Sequence, residues 1–535
     1  MTRRTASACL VLSLVALGSY RLQAQVGYDR LLNAAKEPRN WLIYSGGYFS
    51  NRYSLLTQIT PANARNLELK WMYQGAVAGA WQTTPLVVDG IMYLTQRPND
   101  VVALDAKTGR VFWIYRHTLD PTQIVCCGAN NRGLAILGDT LFMGTLDAHL
   151  VAIDAKTGRA LWNTKVAENT GGYSVTHAPL VVKDKVIVGV GGGEYGIRGF
   201  VAAYDAWSGK LVWRFWTIPA PGEFGSESWP GKLYLHGGGT TWMPGTFDPE
   251  LNLLYWGTSN PSPDFDGRPR PGDDLYTDCV LALDPDTGKL KWYFQFTPHD
   301  LFDYDATETP VLIDAVFEGE PRKLLVEANR NGFLYVLDRT NGAFLSAVPF
   351  VEKLNWAKGI DERGRPIRTD VMPSAKGTRI CPGFGGATNW YAPSYNPSTH
   401  LFYFLASENC DLYFLKPEEF SEGRTYYSTG VKRIPGDSGR KILMAYELGS
   451  AAPAWRYPQV GPDHSSGGTM TTAGGLVFFG DESNSIEAVD ARTGAPLWHF
   501  QAGQSIHASP MSYALNGIQH VAIAAGSDVF CFRLP

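Results

Sequence analysis

A single phrase recurs along the chain, and it limits the fold more than any other feature. It reads Val101-Val-Ala-Leu-Asp105-Ala-Lys-Thr-Gly109-Arg-Val-Phe-Trp113 in its first clear copy and Leu150-Val-Ala-Ile-Asp154-Ala-Lys-Thr-Gly158-Arg-Ala-Leu-Trp162 in its second. Further copies run to Asp205, Gly209 and Trp213, to Asp284, Gly288 and Trp292, and to Asp490, Gly494 and Trp498. Leu334 to Phe344 is a variant, Leu443 to Trp455 a decayed copy, and Leu67 to Trp71 a closing strand whose partner lies elsewhere. The phrase describes a hairpin. Apolar β-formers lead into an Asp, which bonds backbone N–H groups two residues on. Gly then takes the positive φ that ends the turn. The second strand ends in Trp, a residue able to wedge between sheets.

The anchors are Trp71, Trp113, Trp162, Trp213, Trp292, Phe344, Trp455 and Trp498, mostly 42–52 residues apart with longer gaps before Trp292 and Trp455. Stranded repeats of about 45 residues predict a β-propeller with four strands per blade. The expected fold is all-β: one eight-bladed propeller with tryptophan-docking repeats over residues 28–535, closed by an early strand sharing a blade with the chain end. A β-sandwich array is the competing arrangement. Insertions near 216–278 and 345–440 are expected on one face.

Composition agrees. Glycine is 57 of 535 residues and tryptophan 16, which suits turn-rich β structure better than helices. A net charge of −4 gives no basic surplus for nucleic acid. Hydrophobic residues at 44% argue against disorder. Arg3-Arg4, an apolar stretch from Ala8 to Leu17 and a small-residue exit near Ala24 predict a cleaved secretory signal over residues 1–24. Nothing later is long and apolar enough for a membrane span. Cys9 would leave with the signal. The remaining six cysteines are too sparse for a disulfide scaffold, and no Cys-x-x-Cys-His predicts covalent haem.

The motifs between the repeats resemble, in order and over nearly the whole mature chain, those of the quinoprotein alcohol dehydrogenases, the methanol/ethanol dehydrogenase family that uses pyrroloquinoline quinone (PQQ). Cys126-Cys127-Gly-Ala-Asn-Asn-Arg132 resembles the family's ring of adjacent disulfide-bonded cysteines followed by the arginine that grips a PQQ carboxylate. Thr145, Ser174 and Thr176 match hydroxyls that bond PQQ oxygens. Gly191-Gly192-Gly193-Glu194 resembles the glycine run that ends in the metal-binding glutamate. Gly237-Gly-Gly-Thr240-Thr241-Trp242 matches the segment whose Trp floors the quinone, and Asn260 the metal-ligating asparagine. His299-Asp300-Leu-Phe302-Asp303-Tyr304-Asp305 is similar to the motif of the catalytic aspartate, which falls on Asp303. Arg330, Asn389 and Trp390 match further quinone contacts, and Cys381 with Cys410 a structural disulfide of the family.

The resemblance implies oxidation of an alcohol to an aldehyde or ketone. Asp303 would be the general base, with hydride passing to PQQ held by one metal ion on Glu194, Asn260, Asp303 and Asp305. Asp305 is present in lanthanide-using members, so a lanthanide is favoured over Ca²⁺: about four negative charges suit a trivalent ion. A periplasmic location and a separate cytochrome c as electron acceptor are implied. A homodimer is compatible with the sequence. Three departures stand out: Gln82 for a family glutamate, Phe302 for a Trp, and Ser466 for a Trp. Ser466 and Phe302, in place of the bulky aromatics that shape a small pocket in the methanol enzymes, argue against methanol as the substrate, and Gln82 can still hydrogen-bond PQQ without adding charge. The alternative is a non-catalytic propeller scaffold of the outer-membrane assembly type, which has no need of Cys126-Cys127, Glu194 or Asp303. A hydrolase built on His299-Asp300 is a third, weaker reading.

Overall fold

The computed structural model describes residues 26–437, 439–461 and 467–535. The expected signal segment with Cys9, and Ser466, lie outside the described residues.

The repeat phrase forms the last two strands of a four-stranded antiparallel sheet. In the first such sheet, Leu86–Val88, Ile91–Gln96, Asp100–Asp105 and Val111–Tyr115 pair in chain order. The turn obeys the expected chemistry. The Asp105 carboxylate accepts from Lys107 N at 2.8 Å and from the Thr108 hydroxyl at 3.0 Å. Gly109 stands at φ 73°. Equivalent sheets cover 135–165, 180–216, 246–295 and 311–349. The next joins Ser394–Asn396, Leu401–Ser407, Lys441–Glu447 and Trp455–Pro458. Another covers 469–501, with Tyr53–Ser54 added in parallel at its inner edge. In the last, Met511–Leu515, Ile518–Ala525 and Asp528–Arg533 are completed by Glu68–Gln74 from near the other end of the chain.

Tryptophans join one sheet to the next. The indole N–H groups of Trp71, Trp113, Trp162 and Trp455 each donate at 3.2 Å to the carbonyl of the alanine that follows the turn aspartate of the next sheet: Ala106, Ala155, Ala206 and Ala491. Trp213 reaches Pro285 O at 2.9 Å, and Trp498 closes the cycle on Leu67 O at 3.2 Å. The indole rings lie so tightly on the turn glycines that a Cβ on Gly158 would stand 2.5 Å from Trp113. Trp292 lies on Gly342 in the same way. The variant copy differs: Phe344 lies on Gly364, inside the 345–440 insertion, not on a turn glycine of the next sheet. Apart from that sheet, each docks through its tryptophan on its successor, and the cycle closes at Trp498 on Leu67, which is a β-propeller. In the first two sheets the first strand is buried and the fourth is the most exposed.

The 345–440 insertion carries two small sheets of its own, Ala357–Ile360 with Pro366–Arg368, and Thr378–Ile380 with Asp411–Leu415 and Thr429–Arg433. The Cys381–Cys410 disulfide ties it together. Cys279 and Cys531 are buried free thiols. Among the described residues no helix is long and apolar enough to cross a membrane.

Candidate active site

Two classes of loop meet at one end of the propeller. The first leads into the inner strands. Gln82, Arg132, Thr176, Trp242, Asp305, Trp390 and His507 each stand three to six residues before the first strand of a sheet. The second joins the second strand to the third. It carries Thr145, Glu194, Asn260 and Arg330. Together with the 345–440 insertion these loops enclose a cavity of about 280 Å³.

Gln82, Cys126, Cys127, Arg132, Ser174, Thr176, Gly192, Glu194, Trp242, Asp303, Asp305, Arg330, Asn389 and Trp390 all line the cavity. Thr145, Gly193, Thr240 and Asn260 stand behind its wall. Thr145 is consumed by its own turn, where His149 N donates to its hydroxyl at 2.9 Å and the hydroxyl donates to Asp147. The Thr240 hydroxyl is 2.8 Å from that of Ser259. The cavity wall also includes Asn130, Phe384, Tyr427 and His507, which the sequence motifs do not single out. Phe384 and Tyr427 sit in the insertion, where no repeat marks them. His507 carried a usable signal: it stands four residues before the strand Met511–Leu515, as Trp242 and Trp390 stand before theirs.

Adjacent Cys126 and Cys127 are disulfide-bonded, with Cys127 in the left-handed region at φ 65°. Glu194 Oε1 lies 3.5 Å from Cys127 Sγ, but sulfurs in a disulfide are not thiolate ligands. Gly192 has no room for a side chain, since its Cβ would fall 2.1 Å from Gly172 O.

Arg132 lies buried between two indoles, its guanidinium carbon 5.0 Å from the Trp242 centroid and 4.9 Å from that of Trp390. Its Nη1 donates to the Thr176 hydroxyl at 3.0 Å, and its Nε has no partner. Among the described residues no carboxylate bonds it, and burial lowers its pKa to about 10. Gln82 Oε1 is likewise without a partner. A cation between two flat rings suits a planar ligand bearing carboxylates, and the orphaned Gln82 oxygen is an acceptor free for a donor of that ligand.

On the other side are the acids. Asp305 accepts three hydrogen bonds and keeps acceptor capacity on Oδ1: Oδ2 accepts from Arg330 Nη1 at 2.7 Å and Trp242 Nε1 at 3.2 Å, and Oδ1 from Asn260 N at 2.9 Å. Arg330 Nη2 is 3.5 Å from Asp303 Oδ2. Asp303 itself sits at φ 63°, a strained conformation of the kind that collects at functional sites. Burial holds the Asp303 carboxyl well above the usual range, with Asp305 and Asp264 pushing the same way and Arg330 opposing. Loss of solvent pushes Glu194 up to about 7. So many carboxylates around one guanidinium have too little positive charge among them, which is the donor set of a hard cation.

The sequence matches the family model described as PQQ: glucose/ethanol/alcohol dehydrogenase, beta-propeller domain, over residues 41–354 and 440–521. It is 37% identical to the quinoprotein alcohol dehydrogenase PedH of Pseudomonas putida over 97% of this chain and 91% of that one. Among solved structures, the quinohemoprotein alcohol dehydrogenase from Comamonas testosteroni superposes with a TM-score of 0.90 at 35% identity, covering 96% of this chain and 83% of that chain. A europium-containing methanol dehydrogenase superposes at 0.89 with 33% identity, covering 95% and 100%. A propeller with this end cavity is the scaffold of a quinoprotein. The chain belongs to the PQQ-dependent alcohol dehydrogenase family.

Proposed function

We propose that this protein oxidises an alcohol to an aldehyde or ketone with PQQ and one metal ion in the end cavity. The observation that carries this reading is the meeting of Glu194, Asp303, Asp305 and Arg330 with Trp242 and the Cys126–Cys127 ring in one cavity. Trp242 and the disulfide offer flat walls to the quinone. Arg132 grips a carboxylate of it, while Gln82, Ser174, Thr176, Asn389 and Trp390 hold its edges. Gly192 and Gly193 let the backbone approach, and Thr145 and Thr240 brace the wall from behind. Glu194, Asn260, Asp303 and Asp305 hold the metal. When bound, the metal-held quinone supplies a Lewis-acid-polarised two-electron acceptor.

The protein's own residues handle the proton. Asp303, in the cavity wall beside Arg330, takes the hydroxyl proton of the alcohol. Arg330, hydrogen-bonded to Asp305 and close to Asp303, fixes both carboxylates and opposes the negative charge that develops beside them. Phe384, Tyr427 and His507 shape the space left for the substrate. A scaffold has no use for buried acids of this kind, so the catalytic reading is preferred.

The finer assignments belong to the same proposal. The docked sheets are eight blades of a single domain, residues 28–535, locked by tryptophans. The chain works in the periplasm after loss of residues 1–24, and passes electrons singly to a separate cytochrome c. Asp305 favours a lanthanide over Ca²⁺. The test is to strip the metal, reconstitute with PQQ and either Ca²⁺ or La³⁺, and assay short, long and cyclic alcohols with an artificial acceptor. Higher activity with La³⁺ is expected; equal or better activity with Ca²⁺ contradicts the lanthanide preference.

A further inference from the structure

Asp264 is wholly buried, and neither of its carboxylate oxygens has a hydrogen-bond partner. It belongs to no repeat and to none of the motifs above. The chain on both sides of it is tied to the metal cluster. Asn260 N donates to Asp305 Oδ1 at 2.9 Å, and the Ser262 hydroxyl donates to Gly193 O at 2.7 Å, next to Glu194. Phe265 N donates to the carbonyl of Tyr427, a cavity-wall residue, at 3.2 Å. Arg270 Nη2 donates to the Asp264 carbonyl at 3.2 Å and the Asp300 carbonyl at 2.6 Å, bringing the segment against the Asp303 loop. The arc 260–265 therefore wraps around the acids from Asp305 past Glu194 to the cavity wall.

Arg270 bonds the Asp264 backbone, yet its hydrogen bonds go to backbone carbonyls and to Asp274, with none to the Asp264 carboxylate. The charges that weigh most on Asp264 are those of Glu194 and Asp305, both repulsive. A buried carboxylate with no donor, facing other carboxylates, is costly unless a cation or a proton neutralises it.

We propose that Asp264 is a fourth carboxylate of the metal pocket, facing the same ion as Glu194, Asp303 and Asp305, and that it strengthens the pocket's preference for a trivalent ion. This rests on the metal-and-quinone reading above. Its signature is selectivity, because the attraction between one carboxylate and an ion grows with the ion's charge. Full-length protein is stripped of metal and titrated calorimetrically with La³⁺ and with Ca²⁺, as wild type and as Asp264→Asn. The substitution is expected to weaken La³⁺ binding about 10- to 100-fold, the range seen when a partner of a metal site is lost, and Ca²⁺ binding by less. Equal loss for both ions, or no loss for either, overturns the proposal. The melting temperature in chelator is a second readout. It should equal or exceed that of wild type, since an unpartnered buried acid has become a neutral amide of the same shape. A lower value marks Asp264 as structural and also overturns the proposal. Wild-type protein that binds neither ion overturns the metal reading itself, and this proposal with it.

Discussion

His177 directly follows Thr176 in the chain, behind the cavity wall. It is fully buried. Gly189 N donates to its Nε2 at 2.8 Å, so the ring proton sits on Nδ1, 2.8 Å from Ala178 O. Burial lowers its pKa from 6.5 to about 4. The folded chain therefore refuses a proton that the unfolded chain accepts below pH 6.5. Stability is full above that pH and is lost as pH falls toward 4, by roughly 3 kcal/mol from this residue. Urea unfolding of wild type and His177→Gln at pH 7 and pH 4.5 checks this. Wild type should lose roughly 2–3 kcal/mol more than the variant over that interval; an identical loss in both contradicts it. The same scale explains what the sequence could reveal. Gln82, Arg132, Trp242, Glu194 and Asp303 were legible because each lies in a motif of several residues that enforces a turn or a close approach. Asp264, Phe384 and Tyr427 were not, because they come from insertions and matter only through where the fold carries them. Thr145 was legible as a hydroxyl near the site, but not as one spent on Asp147 and His149, since a strand pattern does not say where a side-chain oxygen finds its partner.

The hairpin is the unit that turns sequence into architecture. Its aspartate and glycine close the turn, and its tryptophan reads the next turn. Gly158 serves both purposes, with φ at 71° and its Cα covered by the Trp113 ring. Gly158→Ala should cost about 1–2 kcal/mol for the left-handed backbone and more for the collision with the indole. Gly231 has a similar φ of 63°, but nothing lies within 4 Å of where its Cβ would stand. Gly231→Ala therefore isolates the backbone part. Thermal unfolding should show a clearly larger drop for Gly158→Ala, and equal drops would contradict the docking account. These hairpins were legible in the sequence almost residue by residue. The decayed copies were less so: Phe344 keeps the aromatic but docks on Gly364, because the insertion supplies a surface that the repeat did not announce.

At the scale of the whole molecule, the ring matters because it aims loops. Pairing of Glu68–Gln74 with Asp528–Arg533 closes the cycle, and closure points the loops that enter the inner strands at one cavity. Residues from Gln82 to His507, distant in sequence, thereby share about 280 Å³. The repeat period made the propeller legible, but not the identity of the wall residues that the insertion contributes. The central claim is that this cavity binds PQQ and metal to oxidise an alcohol through Asp303. Its most direct test is to mix metal-stripped protein with PQQ and La³⁺ or Ca²⁺, remove unbound quinone by gel filtration, and measure both the retained quinone absorbance and alcohol-dependent reduction of an artificial acceptor. Wild type should retain the quinone only with metal and should reduce the acceptor only when alcohol is present. Asp303→Asn should retain the quinone and lose activity about 10²- to 10⁴-fold, the usual contribution of a general base. No quinone retained with either ion, or full activity in Asp303→Asn, would contradict the account.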